Sequence, residues 1–131
     1  MASILNLPSP EDAPHFIGEY EALKAADPDT TYNWERKQEE WLNSIGYTTV
    51  DISYNGDLPL SDLFHYMQAR NPHALYLLGG TSPRGTNHSV VACGGGFYHD
   101  PHPDGGFLTG PMDNGMWEVT FILPLIMKEI Q

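Results

Sequence analysis

"NHSVVACGGGFYHDPHPDGG", residues 87–106, carries three of the chain's six histidines, two aspartates and its single cysteine. Asn87–Ala92 mixes β-branched and polar side chains, and a second short strand pattern, Phe97–Asp100, follows Gly94-Gly95-Gly96. Two such runs joined by glycines predict an antiparallel hairpin. Alternation puts His88, Val90 and Ala92 on one face and Ser89, Val91 and Cys93 on the other. On the return strand it pairs Tyr98 with Asp100, and Phe97 with His99, on opposite faces. A histidine near the start of one strand and an aspartate at the end of its neighbour suit a hydrogen-bonded pair. The carboxylate would fix the imidazole tautomer and stabilise the imidazolium.

Two plainer readings accompany that one. Prolines and glycines explain much of "HDPHPDGG" as turn chemistry, with His88 an edge histidine and Asp100-Pro101 a strand terminator. His99, Asp100, His102 and Asp104 are all metal-ligand types. Alternation points His99 and Asp100 apart, however, and no second cysteine or helical histidine pair fixes a geometry. No metal and no cofactor are expected. "GGTSPRG", residues 79–85, shares only its glycines with a phosphate-cradling loop, since the Lys-Ser/Thr ending and following helix are missing. Arg84 there reads as a turn residue or a cation at a pocket rim.

Outward from the hairpin, Tyr47–Ser53, Ala74–Leu78 and Met116–Leu123 are further strand patterns, and Asn55-Gly56-Asp57 is a turn. Ser61 is the expected N-cap of a short helix through Ala69, closed by Asn71-Pro72. Nearer the start, Phe16, Ile17, Tyr20 and Leu23 recur at helical spacing over 11–26, ending before Pro28. Asp27–Thr31 is a polar link to a second amphipathic helix marked by Trp34, Gln38, Trp41, Leu42 and Ile45, stopped at Gly46. Trp41 is the expected anchor of that face, with about 3–5 kcal/mol lost on its change to alanine. Ala2, Ile4, Leu5 and Leu7 read as the last turns of an apolar helix halted by Pro8 and Pro10, its first turn apparently cut away. Helices first and an antiparallel sheet after them is the α+β pattern.

Composition narrows the function. The 131 residues suit one domain, with 40 % hydrophobic and 18 % charged residues. A net charge of -11, from 17 acidic against 6 basic residues, argues against a nucleic-acid polymer or an anionic membrane as partner. A small anionic ligand remains compatible, because a pocket can be locally positive. One cysteine excludes an intrachain disulfide, and no apolar run approaches the ~20 residues of a bilayer span. The chain start lacks the basic and apolar regions of a signal peptide, so a cytoplasmic protein is expected.

"LLGGTSPRGTNHSVVACGGGFYHDPHPDGG", with "MASILNLPSPEDAPHF" and "NWERKQEEWLNSIGY", resembles small papain-like proteins of bacteriophage genomes, related in outline to the bacteriocin-leader peptidase branch. The resemblance spans nearly all of 1–131, and its most specific element is the SPRG…NHSVV…HDPHP run. It implies a single papain-like domain of N-terminal helices packed on a small antiparallel sheet. It also implies a base at His88 and an orienting residue at Asp100. The family's nucleophile, a cysteine at the tip of the first helix, would fall a few residues before Ala2. Cys93 faces away by alternation, and Ser3 lies inside the helix rather than at its tip. A thiolate activated by imidazolium and a helix N-terminus has no simple substitute.

Two functions follow from this departure. In the first, a catalytically inactive papain-fold protein binds a small molecule or peptide in its former cleft. With the phage resemblance, that suggests counter-defence in a bacterial host by sequestering a nucleotide signal. Arg84, Asn87, His99, His102, Tyr98 and Trp34 are its candidate ligand contacts, with Trp41 and Trp117 as further stacking candidates; each aromatic also reads as ordinary core. In the second, the protein is a cysteine peptidase or amidase whose nucleophile lies upstream of an internal start methionine. A virion assembly role finds no supporting helix or coiled coil.

Overall fold

The computed structural model describes residues 16–126. The apolar helix expected at residues 2–7 lies outside them. Three helices and five strands follow in the order α1 (Phe16–Ala26), α2 (Trp34–Ser44), β1 (Tyr47–Asn55), α3 (Leu60–Arg70), β2 (Leu75–Thr81), β3 (Asn87–Cys93), β4 (Gly96–His99) and β5 (Met116–Pro124). The strands make one sheet in the order β1-β5-β2-β3-β4. β2 runs antiparallel to both β3 and β5, and β3 to β4. Along β1 and β5, bonds from Gly56 to Gly115 and from Leu125 to Gly46 mark a further antiparallel pairing. The fold is thus α+β.

Residues 50–121 form one compact unit; α1, α2, the first residues of β1 and the last of β5 belong to a second. In the second, the Asn33 side chain accepts the Arg36 N–H at 3.1 Å and caps α2. Gly46, at φ +90°, ends it. The Tyr32 hydroxyl donates to the Glu19 carboxylate at 2.6 Å, joining α1 to the approach of α2. Leu42 is the fully buried residue of α2, at 1 % exposure, while Trp41 beside it is half-buried. The anchor of this face is therefore the smaller side chain, one position on.

In the first unit, Leu63 and Met67 of α3 pack with Tyr76, Leu78, Val90, Ala92, Leu108, Trp117 and Val119. Apolar burial of this kind is the main favourable term in folding. Trp117 is core, its indole N–H donating to the Leu58 carbonyl at 3.0 Å. Ser61 does not cap α3. Pro59 holds the cap position with extended backbone and no side-chain bond, and its fixed φ of −60° suits a helix entry. β2 runs three residues past the expected Leu78, because Gly79 and Gly80 are buried strand residues rather than loop.

Gly80 stands opposite His88 in the β2–β3 register. A Cβ at Gly80 would meet the Gly110 carbonyl oxygen at 2.6 Å, the Trp117 ring at 2.9 Å and Leu108 at 3.0 Å. Backbone, indole and core leucine crowd this point together, so a methyl has no vacant direction. Gly80→Ala should therefore destabilise the protein by about 1–3 kcal/mol, as overpacking does, in urea denaturation. A loss below about 0.5 kcal/mol would show that the strand under His88 yields freely.

Candidate functional site

The histidine–aspartate pair expected at this hairpin is formed. His88 Nε2 and Asp100 Oδ1 lie 2.7 Å apart. The side chains differ in access: Asp100 is 4 % exposed, whereas His88 keeps 17 %. Water or a ligand can thus reach the ring, while the carboxylate stays enclosed.

The enclosure is built by the chain itself. Asp100 Oδ1 also accepts the His102 N–H at 2.9 Å, and Oδ2 accepts the Phe107 N–H at 2.9 Å. Burial on its own would raise the Asp100 pKa. The His102 amide, the His88 ring, the Phe107 amide and the His88 charge outweigh it and hold the carboxyl below the usual carboxylate range. Asp100 is therefore an anion with both oxygens occupied. An imidazole donating Nε2–H to that anion keeps its lone pair on Nδ1, the arrangement a general base needs.

The segment 100–107 wraps around this carboxylate. The Asp104 N–H bonds His102 Nδ1 at 3.0 Å, and Gly105 N–H bonds the His102 carbonyl at 3.0 Å. Turn chemistry and the polar pair are thus the same feature, because the turns deliver the donors.

Two other residues foreseen for the site tie its loops together, and the rest lie beside it or elsewhere. Arg84, at the exposed β2–β3 tip, donates Nη1–H to the Gly105 carbonyl at 3.0 Å and fastens the 100–107 loop. Asn87 and Asp113 exchange two hydrogen bonds of 3.0 Å, one from each partner, and tie the loop before β5 to the start of β3. His102 stands edge-on to His88, with centroids 6.1 Å apart at 89°. His99 is exposed opposite Val91. Trp34, in the first turn of α2, is half-buried in the other compact unit.

Strict alternation fails in β4. Ala92 opposes Phe97 but Val91 opposes His99, leaving Tyr98 as the extra residue of a bulge, 62 % exposed. Phe97 consequently shares the face of Ala92, stacking on Phe107 at 4.5 Å and meeting Phe64 edge-on at 5.1 Å. Nothing in a four-residue strand pattern signalled this shift. Phe107 is a site residue that strand patterning does not reach; its signal is the Gly105-Gly106 pair before it.

Cys93 sits five positions along β3 from His88, about 16 Å at a rise of ~3.3 Å per residue. Its thiol is directed to the Pro72 carbonyl at 3.9 Å. Among the described residues, no group of three or more His, Cys, Asp or Glu side chains is arranged to hold a metal ion, and no helix is long and apolar enough to cross a membrane.

Comparison with protein-family models, curated proteins and solved structures gave no match.

The depressed Asp100 pKa has a signed consequence. A carboxylate with a lower pKa folded than unfolded stabilises the protein above the unfolded value of roughly 3.9, and that contribution fades as pH falls through the folded value. Asp100→Asn turns an acceptor into a donor facing a buried N–H and should cost on the order of 2–3 kcal/mol at neutral pH. The gap from the native protein should narrow steadily below about pH 4. A gap constant with pH in denaturation curves would show that Asp100 is not an anion held by these donors.

Proposed function

We propose that His88 and Asp100 are the base and orienting residues of a papain-like half-site, and that the chain of this sequence uses the site to bind a small molecule or peptide. The observation that carries the base-and-orienting assignment is the 2.7 Å Nε2–Oδ1 pair on a carboxylate also held by two backbone donors. The α+β architecture, with helices preceding an antiparallel sheet, and the sequence resemblance support the papain-like scaffold. Binding rather than cleavage is favoured by the thiol of this sequence: Cys93 lies five residues, about 16 Å, along the strand from His88.

A ligand with a hydrogen-bond donor would meet His88 Nδ1. A neighbouring anionic group would find Arg84, whose guanidinium uses one N–H on Gly105 and is otherwise exposed. Nucleotides meet both demands, which keeps a phage counter-defence role sequestering a host nucleotide signal as the reading to test first.

A second reading is a cysteine peptidase or amidase completed by a thiol encoded upstream of Met1. The completeness of the Asp100 shell favours it, because general-base work needs a fixed tautomer, whereas ligand binding tolerates a looser ring. Reading the codons before Met1 separates the two: an in-frame cysteine within about ten codons supports the enzyme.

His88→Ala should leave the fold in place and weaken binding of a hit from a nucleotide and dipeptide thermal-shift screen about tenfold, or ~1.4 kcal/mol. An affinity unchanged by the substitution, with stability down by several kcal/mol, would make His88 structural instead.

A further inference from the structure

We propose that Phe107 is a positioning residue for the His88–Asp100 pair: its ring, stacked on Phe97, holds a left-handed backbone that aims the Phe107 N–H at Asp100 Oδ2. The inference rests on the base-and-orienting reading of that pair.

Three successive residues, Gly105, Gly106 and Phe107, have φ of +60°, +88° and +54°. Among the described residues Phe107 is the one non-glycine residue with positive φ. Glycine adopts this region without penalty, whereas a side chain there costs roughly 1–2 kcal/mol. Such strain persists where the surroundings over-determine it, commonly at functional sites.

At Phe107 the surroundings act from both ends of the residue. The ring stacks on Phe97 at 4.5 Å and 19°, and Phe97 meets Phe64 of α3 edge-on at 5.1 Å. The amide lies 2.9 Å from Asp100 Oδ2, and among the described residues it is the donor seen at that oxygen. Oδ1 is taken by His88 and His102. Gly106 locks the approach, since a Cβ there would come within 2.7 Å of the Pro83 ring.

Without the Phe107 amide, the carboxylate can rotate and exchange its two oxygens. The imidazole would then lose a fixed acceptor. The aromatic stack therefore acts on His88 through Asp100, by way of the carboxylate oxygen that His88 does not bond.

The test compares Phe107→Ala with Phe107→Gly, following the Asp100 carboxyl by carbon-13 NMR as pH falls. Both variants delete the same stack. Alanine keeps the left-handed strain without its anchor, so the loop should relax, the amide should leave, and the Asp100 midpoint should rise on the order of one pH unit. Glycine holds the same backbone without strain and should keep the wild-type midpoint. A purely structural ring would instead lower the melting temperature in both variants and leave Asp100 unmoved. That result, or equal shifts in both variants, overturns the inference.

A wild-type midpoint in the ordinary range would overturn the His88–Asp100 reading itself, which distinguishes the two failures. Should Phe107→Ala not fold, Phe97→Ala removes the stacking partner and should raise the midpoint likewise; an unmoved midpoint there is equally contrary.

Discussion

An enclosed carboxylate organises this part of the molecule. The Asp100 side chain is enclosed at the end of a hairpin, where leaving its charge unpaired would be costly. Two backbone amides and one imidazole satisfy it, and each comes from a different stretch: His102 from the next turn, Phe107 from beyond the glycine pair, His88 from the neighbouring strand. The loop 100–107 can be read as the path the chain takes to bring those donors to one point. Arg84 and the Asn87–Asp113 exchange then hold that path against the β2–β3 end of the sheet.

The chemistry follows from the same constraint. An imidazole bonded through Nε2 to a fixed anion presents Nδ1 in one direction with its lone pair available. Such a ring can take a proton from a nucleophile or accept a hydrogen bond from a ligand, and the protein's remaining groups decide which. Cys93, at the other end of β3 and turned to Pro72, belongs to the packing of α3 and β2 rather than to the ring.

Much of this was legible in the sequence, and the reasons are local. His88 starts one strand and Asp100 directly follows the next across a glycine turn, so the hairpin, with its bulge at Tyr98, brings them close. The helix ending at Gly46 and the turn at Asn55–Asp57 follow from glycine and asparagine chemistry. What the pattern concealed was non-local or cumulative. The bulge at Tyr98 accompanies the packing of Phe97 on Phe64 and Phe107, contacts that no four-residue window contains. Arg84 and Asn87 carry the residue types of ligand contacts, yet Asp113 pairs with Asn87 and the Gly105 carbonyl takes one Arg84 N–H. Leu42, not the larger Trp41, is the sealed residue of α2, because helical phase rather than size selects the buried position.

The central claim is that Asp100 fixes His88 as the Nε2–H tautomer with Nδ1 unprotonated. Long-range proton–nitrogen correlation NMR of His88 in the intact protein, about two pH units above the ordinary histidine value of roughly 6.5, reads this directly. A protonated-type nitrogen at Nε2 and a lone-pair-type nitrogen at Nδ1 are expected. A proton on Nδ1, or two averaged nitrogens, would contradict it.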